Sequence, residues 1–443
     1  MNKLSIMWNN RKCLVFSAAM AAALVLLAGG ANAQAAPTVR CVPSATQNPG
    51  CTASTTYPTI SAAVGAATAG DMVAVGSGVY HESVTIGIPL FLLGAQAGKD
   101  AQHGRNDSTQ ESIVDASGQG NGTAFLVMAN YVVIDGFTIQ GGTGGICAAG
   151  IYWNGGEHTQ ILNNIIQNNA AGIYQRLPSS TSTLIAHNLI RSNNEGVAQA
   201  IDFPLTGAGY GIVGGLSSGV IINENAFMGN KTAAIYVQSD TGGGTITYNT
   251  SENDGSFVIL RNCQFTHFSH NQGKNFGNLG PGAMAADAAI EIGSGSGNVD
   301  ITSNILEGGK APITNGIAFS ARLGGSPSRY GNVAHNRIER FLGNGIVAEK
   351  SSGAGTLYDS SISDNEIRNN GLHGVLIEAA TSNNAGISLF DNDLDGNRGG
   401  DCQDNTSGSG TANTANTWLH NRGNSSAASG LCTPGEKRDH DSL

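Results

Sequence analysis

The sequence predicts an all-β solenoid, a rod of short parallel strands stacked by coiling. Nine asparagines recur inside nearly the same phrase: Asn164 (NNII), Asn188 (HNLI), Asn225 (ENAF), Asn249 (YNTS), Asn271 (HNQG), Asn304 (SNIL), Asn336 (HNRI), Asn365 (DNEI) and Asn392 (DNDL). The gaps between them are 24, 37, 24, 22, 33, 32, 29 and 27 residues. A second phrase follows the first eight, as in Gly172-Ile173, Gly211-Ile212, Ala234-Ile235 and Gly374-Val375, and Gly150-Ile151 begins this series one turn earlier. A basic period near 22, lengthened at intervals, is that of a solenoid with loops inserted into some turns. From Trp153 to Asp395 the strand-like runs are four or five residues long, separated by Asn, Gly and Ser. That leaves no room for crossover helices.

The N-terminal residues 1–33 have the form of a signal peptide. Lys3, Arg11 and Lys12 precede an apolar run from Leu14 to Ala28, and Ala31-Asn32-Ala33 offers a small-residue cleavage site. The expected product is secreted or periplasmic, starting near Gln34, with no membrane insertion. A leader, 34–56, follows without strong pattern. Residues 59–70 read as a short helix with Ile60, Ala63, Val64 and Ala67 on one face, suited to covering the open end of a solenoid core. Strand-like runs then appear at Met72–Val75, Ser83–Ile86, Leu90–Leu93, Ser112–Asp115, Phe125–Met128 and Val132–Ile139. The polar stretch Gly98–Glu111 reads as a surface loop. The solenoid is expected over 57–400, a C-terminal cap over 401–432 and a disordered tail over 433–443.

In each repeat the asparagine suits a tight turn, because it tolerates left-handed backbone geometry. Stacked on its counterparts it can also form an amide ladder that gives buried polar groups partners. The cysteines fit an oxidising compartment: Cys41 with Cys51 and Cys402 with Cys432 are plausible disulfides. Cys147 and Cys263 lie about four turns, or roughly 19 Å, apart and are expected as unpaired thiols. Without Lys3, Arg11 and Lys12 the chain keeps 19 basic against 32 acidic residues, a net charge of −13. That argues against nucleic acid and anionic membrane surfaces as partners.

The stretch YPTISAAVGAATAGDMVAVGSGVYHESVTI, followed by LFLLGAQAG and the asparagine repeats, resembles secreted right-handed parallel β-helix proteins of the pectin-lyase-like group, many of which bind or cleave carbohydrate. The resemblance covers about Tyr57 to Cys432. It implies a single right-handed parallel β-helix of about a dozen turns with a short N-terminal capping helix. It specifies fold more than activity. Gly78, Tyr80 and Glu82 match the G-x-Y-x-E of pectin methylesterases, but no QDT or GRPW segment follows. Arg176-Leu177-Pro178 begins the R-x-P-x-x-R of pectate lyases, but Thr181 stands where its second arginine belongs. The Asp pair and Gly-His-Gly of polygalacturonases and the D-P-H-D of mannuronan epimerases are also missing.

Alternation along the repeated strand defines an outward face. Its first row reads Tyr152, Tyr174, Val213, Tyr236, Ile259, Glu291, Ala318, Val347, Leu376; its second, Asn154, Arg176, Gly215, Gln238, Arg261, Gly293, Ser320, Glu349, Glu378. Tyr152, Tyr174 and Tyr236 are candidate substrate-binding residues, since rings at strand spacing suit a sugar chain that advances about 4.8 Å per pyranose. Tyrosine is also an ordinary exposed strand residue. Arg176 and Arg261 can pair with uronic carboxylates. Two insertions, Gly196–Tyr210 with Asp202 and Gln272–Ala288 with Lys274 and Asp287, should project from one edge. Asp202 and Asp287 are candidate acid and base for hydrolysis. For a lyase, Arg176, Arg261 or Lys274 would hold the enolate-like charge. Each also reads as an ordinary solvated side chain.

His187, His270 and His335 each precede a ladder asparagine on nonadjacent turns, which suits turn hydrogen bonding rather than a metal. No cofactor is expected. Asp391 to Gly396 imitates the start of an EF-hand loop but has Cys402 at its twelfth position, leaving at most weak calcium binding. Two readings of function follow. One is an exported protein that binds an extracellular polysaccharide and, if it is an enzyme, cleaves it as a lyase or a glycoside hydrolase, the lyase being favoured. The other is a non-catalytic surface or periplasmic scaffold or adhesin. No sequence feature signals an oligomer, so a monomer is expected.

Overall fold

A coil made of strands this short turns three corners, and every corner buries backbone N–H and C=O groups that need partners. The computed structural model shows how the sequence supplies them. It describes residues 36–43, 51–120, 122–145, 148–176, 182–196, 198–199, 206–215, 219–238, 242–277, 287–293, 295–320, 327–350, 356–379, 384–424 and 430–434, with 198–199 and 206–207 as backbone only. The expected signal peptide, Cys147, Asp202 and most of the tail lie outside the described residues. The described residues from Thr38 onward form one compact unit.

The larger unit is a parallel β-solenoid. Successive strands of one coil, such as Gln160–Leu162, Ile165–Gln167 and Ala171–Gln175, enter a first, second and third sheet in turn. These sheets contain 14, 12 and 12 strands, and each strand pairs in parallel with its equivalents one coil before and after. One column of the third sheet runs Ile151, Ile173, Ile212, Ile235, Val258, Ile290, Ile317, Ile346, Val375, all buried. Each added coil therefore buries several more aliphatic side chains, at about 1.5–3 kcal/mol each.

The asparagine ladder forms the corner between the first and second sheets. The side-chain oxygen of Asn188 accepts from the backbone N–H and amide of Asn164, Asn225 does the same for Asn188, and the series continues unbroken to Asn421. Each amide also donates to an inward carbonyl, as Asn271 does to Ile246 at 2.9 Å. The left-handed residue is the one before the asparagine, not the asparagine itself. Asn163, His187, Glu224, Tyr248, His270, Ser303, His335, Asp364 and Asp391 have φ between 51° and 58°. The ladder amide must point inward, so the preceding residue absorbs the reversal and its side chain points out.

A second ladder lies five residues further on. Asn169, Asn193 and Asn230 stack in the same way at the corner between the second and third sheets, and the series ends on Asp254. Asn230 donates to one carboxyl oxygen of Asp254 from both nitrogens, at 2.7 and 2.9 Å, and the Ser251 hydroxyl donates to the other at 2.6 Å. Asp254 is fully buried. Desolvation outweighs those hydrogen bonds and pushes its carboxyl up to about 7.

The ends differ from expectation in detail. The helix spans Ile60–Ala66, with Ile60, Ala63 and Val64 buried and Thr59 capping its N-terminus. Glu82 accepts from the N–H groups of Ile60 and Ser61, both at 2.9 Å, and Tyr80 donates to the Gly76 carbonyl, so both residues serve the first coil. The leader contributes a strand, Val39–Val42, paired with Met72–Val75, and Cys41 is bonded to Cys51 with Cα atoms 5.8 Å apart. The run Val132–Ile139 is two strands, Val133–Asp135 and Phe137–Gln140, because Gly136 (φ 80°) takes the corner. Within Gly98–Glu111, Arg105 and Glu111 form a buried pair that ties this segment to the carbonyls of Phe137 and Asn163. At the C-terminus Thr417–Leu419 still pairs with Ser388–Phe390, Trp418 is buried, and Cys402 is bonded to Cys432. No helix among the described residues is long and apolar enough to cross a membrane.

Candidate functional site

Both insertions open at the same corner. Gly196 follows the second-sheet strand Leu189–Arg191, and Tyr210 opens the third-sheet strand Tyr210–Gly214. Gly277 follows Gln272–Phe276, and Asp287 precedes Ala288–Gly293. The first insertion begins and ends as an antiparallel pair, Ala198–Gln199 with Thr206–Gly207. Both therefore leave and rejoin the coil at the corner between the second and third sheets.

The two outward rows keep the register read from the sequence: Tyr152 pairs with Tyr174, Tyr174 with Val213, Val213 with Tyr236, Tyr236 with Ile259 and Ile259 with Glu291. The tyrosines, however, do not form an open platform. Tyr152, Tyr174 and Tyr236 are 4%, 5% and 1% exposed. In-register parallel pairing sets neighbouring side chains about 4.8 Å apart, so adjacent rings cover one another. Tyr152 packs on Tyr174 with centroids 5.1 Å apart, and Tyr236 meets Tyr210 edge-on at 5.9 Å.

What this face does assemble is a polar group around Tyr236. Its hydroxyl lies 3.0 Å from the Gln238 side-chain oxygen and is hydrogen-bonded to Arg261. Gln238 and Arg261 are register partners, half-buried at the strand ends. Glu291, 1% exposed, sits beside Ile259 one strand further and about 8 Å diagonally from Arg261 at the backbone. Burial raises the Tyr236 phenol above its ordinary range, with Glu291 and Cys263 adding to the rise and Arg261 opposing it. The phenol therefore keeps its proton at neutral pH. Burial raises that of Tyr210 further. Arg261 donates, Tyr236 can give a proton and Glu291 can take one. Glu291 was in the outward row but not among the candidates, because one acid among apolar neighbours gives no signal until its burial is known.

The remaining candidates do not converge here. Arg176 follows the strand Ala171–Gln175, three strands or about 14 Å from Arg261. Asp287 immediately precedes the Glu291 strand, about 13 Å before Glu291, and its carbonyl accepts from the N–H groups of Thr314 and Asn315. Lys274 is not in a projecting loop. It lies in the second-sheet strand Gln272–Phe276, between Glu252 and Glu307, 3.4 Å from the Glu252 carboxylate. The alternation of Gln272 to Phe276 with a neighbouring strand places it on a different face. His187 pairs with Glu224 at 3.5 Å, and His270 stacks on Tyr248. Asp393 is held by Arg368 at 3.0 Å and Arg422 at 2.6 Å. Among the described residues, no group of three or more His, Cys, Asp or Glu is placed to hold a metal ion.

A family model described as a right-handed beta helix region matches residues 117–317. The fold is a right-handed parallel β-helix. No curated protein sequence matches it. Among solved structures, this β-helix is similar to the catalytic unit of a thermostable GH87 alpha-1,3-glucanase from Streptomyces thermodiastaticus strain HF3-3, with a TM-score of 0.60 at 12% identity, covering 84% of this chain and 66% of that one. The chain thus spans just under two thirds of that catalytic unit. It is also similar to an alginate lyase from Paenibacillus sp. str. FPU-7, at TM-score 0.41 and 12% identity over 76% of this chain and 92% of that one. A DFA-IIIase from Arthrobacter chlorophenolicus A6, without its lid and in complex with GF2, gives 0.49 and 14% over 74% and 94%. At such identities the likeness is one of fold.

Proposed function

We propose that this β-helix protein is exported and that it binds and cleaves an extracellular polysaccharide at the third-sheet face, by elimination. The observation that carries the reading is Glu291, buried on the outer face of a solenoid, two strands from Tyr236 and close enough to act on its phenol electrostatically, with Arg261 on the strand between. A carboxyl buried on this outward row, between Ile259 and Ala318, is a group able to take a proton within the polar cluster. Arg261 would pair with a uronate carboxylate and stabilise the charge that develops there as the α-proton leaves. Glu291 would take that proton, the electron pair would form the new carbon–carbon double bond, and the glycosidic oxygen would depart with the Tyr236 proton. Half-buried Gln238 and Arg261 form the approach. The GH87 alpha-1,3-glucanase with the same fold supports carbohydrate as the class of ligand, and the two disulfides of this chain fit export.

The test is to incubate the mature protein with acidic and neutral polysaccharides and follow the ultraviolet absorbance of unsaturated uronate together with reducing ends. Both should rise, and Arg261→Ala or Glu291→Gln should abolish the rise while the protein stays folded. Reducing ends alone would replace elimination by hydrolysis. Silence in both assays overturns the catalytic reading in favour of a scaffold.

A further inference from the structure

Four aromatic residues are exposed among the described residues, Tyr131, Tyr248, Phe265 and Tyr330, at 58%, 57%, 54% and 57%. All four have positive φ, at 56°, 56°, 59° and 55°. Left-handed geometry is strained for a bulky side chain, and an exposed ring recovers none of that strain by burial. The solenoid has an easy alternative. In the corner that leads into the first sheet, the positions equivalent to Phe265 and Tyr330 on the coils from Tyr131 to Gly386 are Tyr131, His158, Ser182, Gly219, Gly243, Asn298, Asp359 and Gly386, and the last five are residue types that tolerate this geometry. Folding alone does not require a ring at Phe265 or Tyr330, since glycine, asparagine or aspartate fills the same corner on neighbouring coils.

Two of the four already have a partner. Tyr131 is stacked on His158 with centroids 4.6 Å apart, and Tyr248 on His270 at 5.0 Å. Phe265 and Tyr330 stack on no other ring among the described residues. They sit in one row along the solenoid axis, two coils apart, with Asn298 on the coil between. At about 4.8 Å per coil their separation is about 10 Å. In an extended pyranose chain advancing about one strand spacing per sugar, that separation brings every second ring to the same position. Phe265 is also four residues beyond Arg261 in the chain, at the end of the strand that borders the polar group.

We propose that Phe265, Asn298 and Tyr330 form a binding track for an extended, equatorially linked polysaccharide. The two aromatic faces would stack on alternate sugar rings, and the Asn298 amide would hydrogen-bond between them. The track deepens the proposed function, since a polymer held there runs past the strand end that carries Arg261.

The experiment is native electrophoresis of the mature protein through gels containing either alginate or hydroxyethyl cellulose, alongside thermal melting. The wild type should be retarded by at least one polymer. Phe265→Asn and Tyr330→Asn should each reduce the retardation and together remove it, with melting temperatures equal to or above wild type because the corner strain is relieved. A fall in melting temperature would show the rings to be structural, and undiminished retardation of the double variant would overturn the track. No retardation of the wild type in either gel also overturns it. Retardation removed by Arg261→Ala but not by the ring variants puts the polymer on the third-sheet face instead. Retardation with no cleavage leaves the track standing and removes the catalytic reading.

Discussion

Asp254 ends an asparagine ladder with a carboxyl, and the substitution Asp254→Asn measures what that carboxyl does. Its oxygens accept from Asn230 and Ser251 inside a corner that excludes water. Burial moves its pKa from the ordinary 3.8 to about 7, which corresponds to about 4 kcal/mol between folded and unfolded states. The folded form holds the proton more tightly. Its contribution to stability is therefore fully present below pH 3.8, declines as pH rises, and is lost once pH passes about 7. Asparagine keeps the oxygen that Asn230 needs and carries no charge. The variant should match wild type at pH 4 and exceed it by up to about 4 kcal/mol at pH 8. Guanidinium unfolding followed by circular dichroism, at several pH values across that window, gives the difference between the two proteins and cancels groups common to both. Parallel stability profiles would refute the reasoning and show that the carboxyl is solvated in the folded protein. The consequence reaches the site, because the Asp254 carbonyl accepts from the Gly277 N–H where the second insertion begins.

Three further outcomes are expected. Asn271→Ala removes the acceptor for both Asn249 nitrogens and the donor to Ile246 and Asn304, and should cost about 3–5 kcal/mol in thermal or denaturant unfolding. Lys274→Ala should leave polysaccharide cleavage unchanged and stability within about 1 kcal/mol, because it breaks only a half-exposed ion pair with Glu252; loss of cleavage would place the site on the second sheet. Asp393→Asn releases Arg368 and Arg422 and should also cost no more than about 1 kcal/mol, while calcium should not raise the wild-type melting temperature, since two guanidiniums already occupy this carboxylate.

The repeat was legible because its physical cause is local. A buried corner needs an amide on every coil, so asparagine returns at every coil, and the pairing register follows from aligning the phrases. The second ladder carried the same signal. Asn169, Asn193 and Asn230 are spaced 24 and 37 residues apart, as are Asn164, Asn188 and Asn225. It was missed because a carboxylate at Asp254 ends it. The strand Val39–Val42 was hidden for another reason: at an end coil its partner Met72–Val75 follows after a helix rather than after one repeat.

The misreading of the tyrosines shows where alternation stops being informative. Period two separates inward from outward residues, and it did so correctly for every coil from Ile151 to Val375. Outward, however, means only away from the core of the coil. Where in-register rings pack on one another, an outward row becomes a second interior, and Tyr152, Tyr174 and Tyr236 are nearly as buried as the isoleucines beside them. In such a covered layer the informative residue is the one that does not belong in an interior. Glu291 is that residue on the third-sheet face. The same logic inverts at the corners, where the informative residues are the rings that do not belong outside. Phe265 and Tyr330 stand in left-handed turns that glycine or asparagine would fill without strain. Both anomalies adjoin Arg261, one strand beyond it and one corner past it, so tests of Glu291 and of the two rings examine neighbouring parts of a single surface.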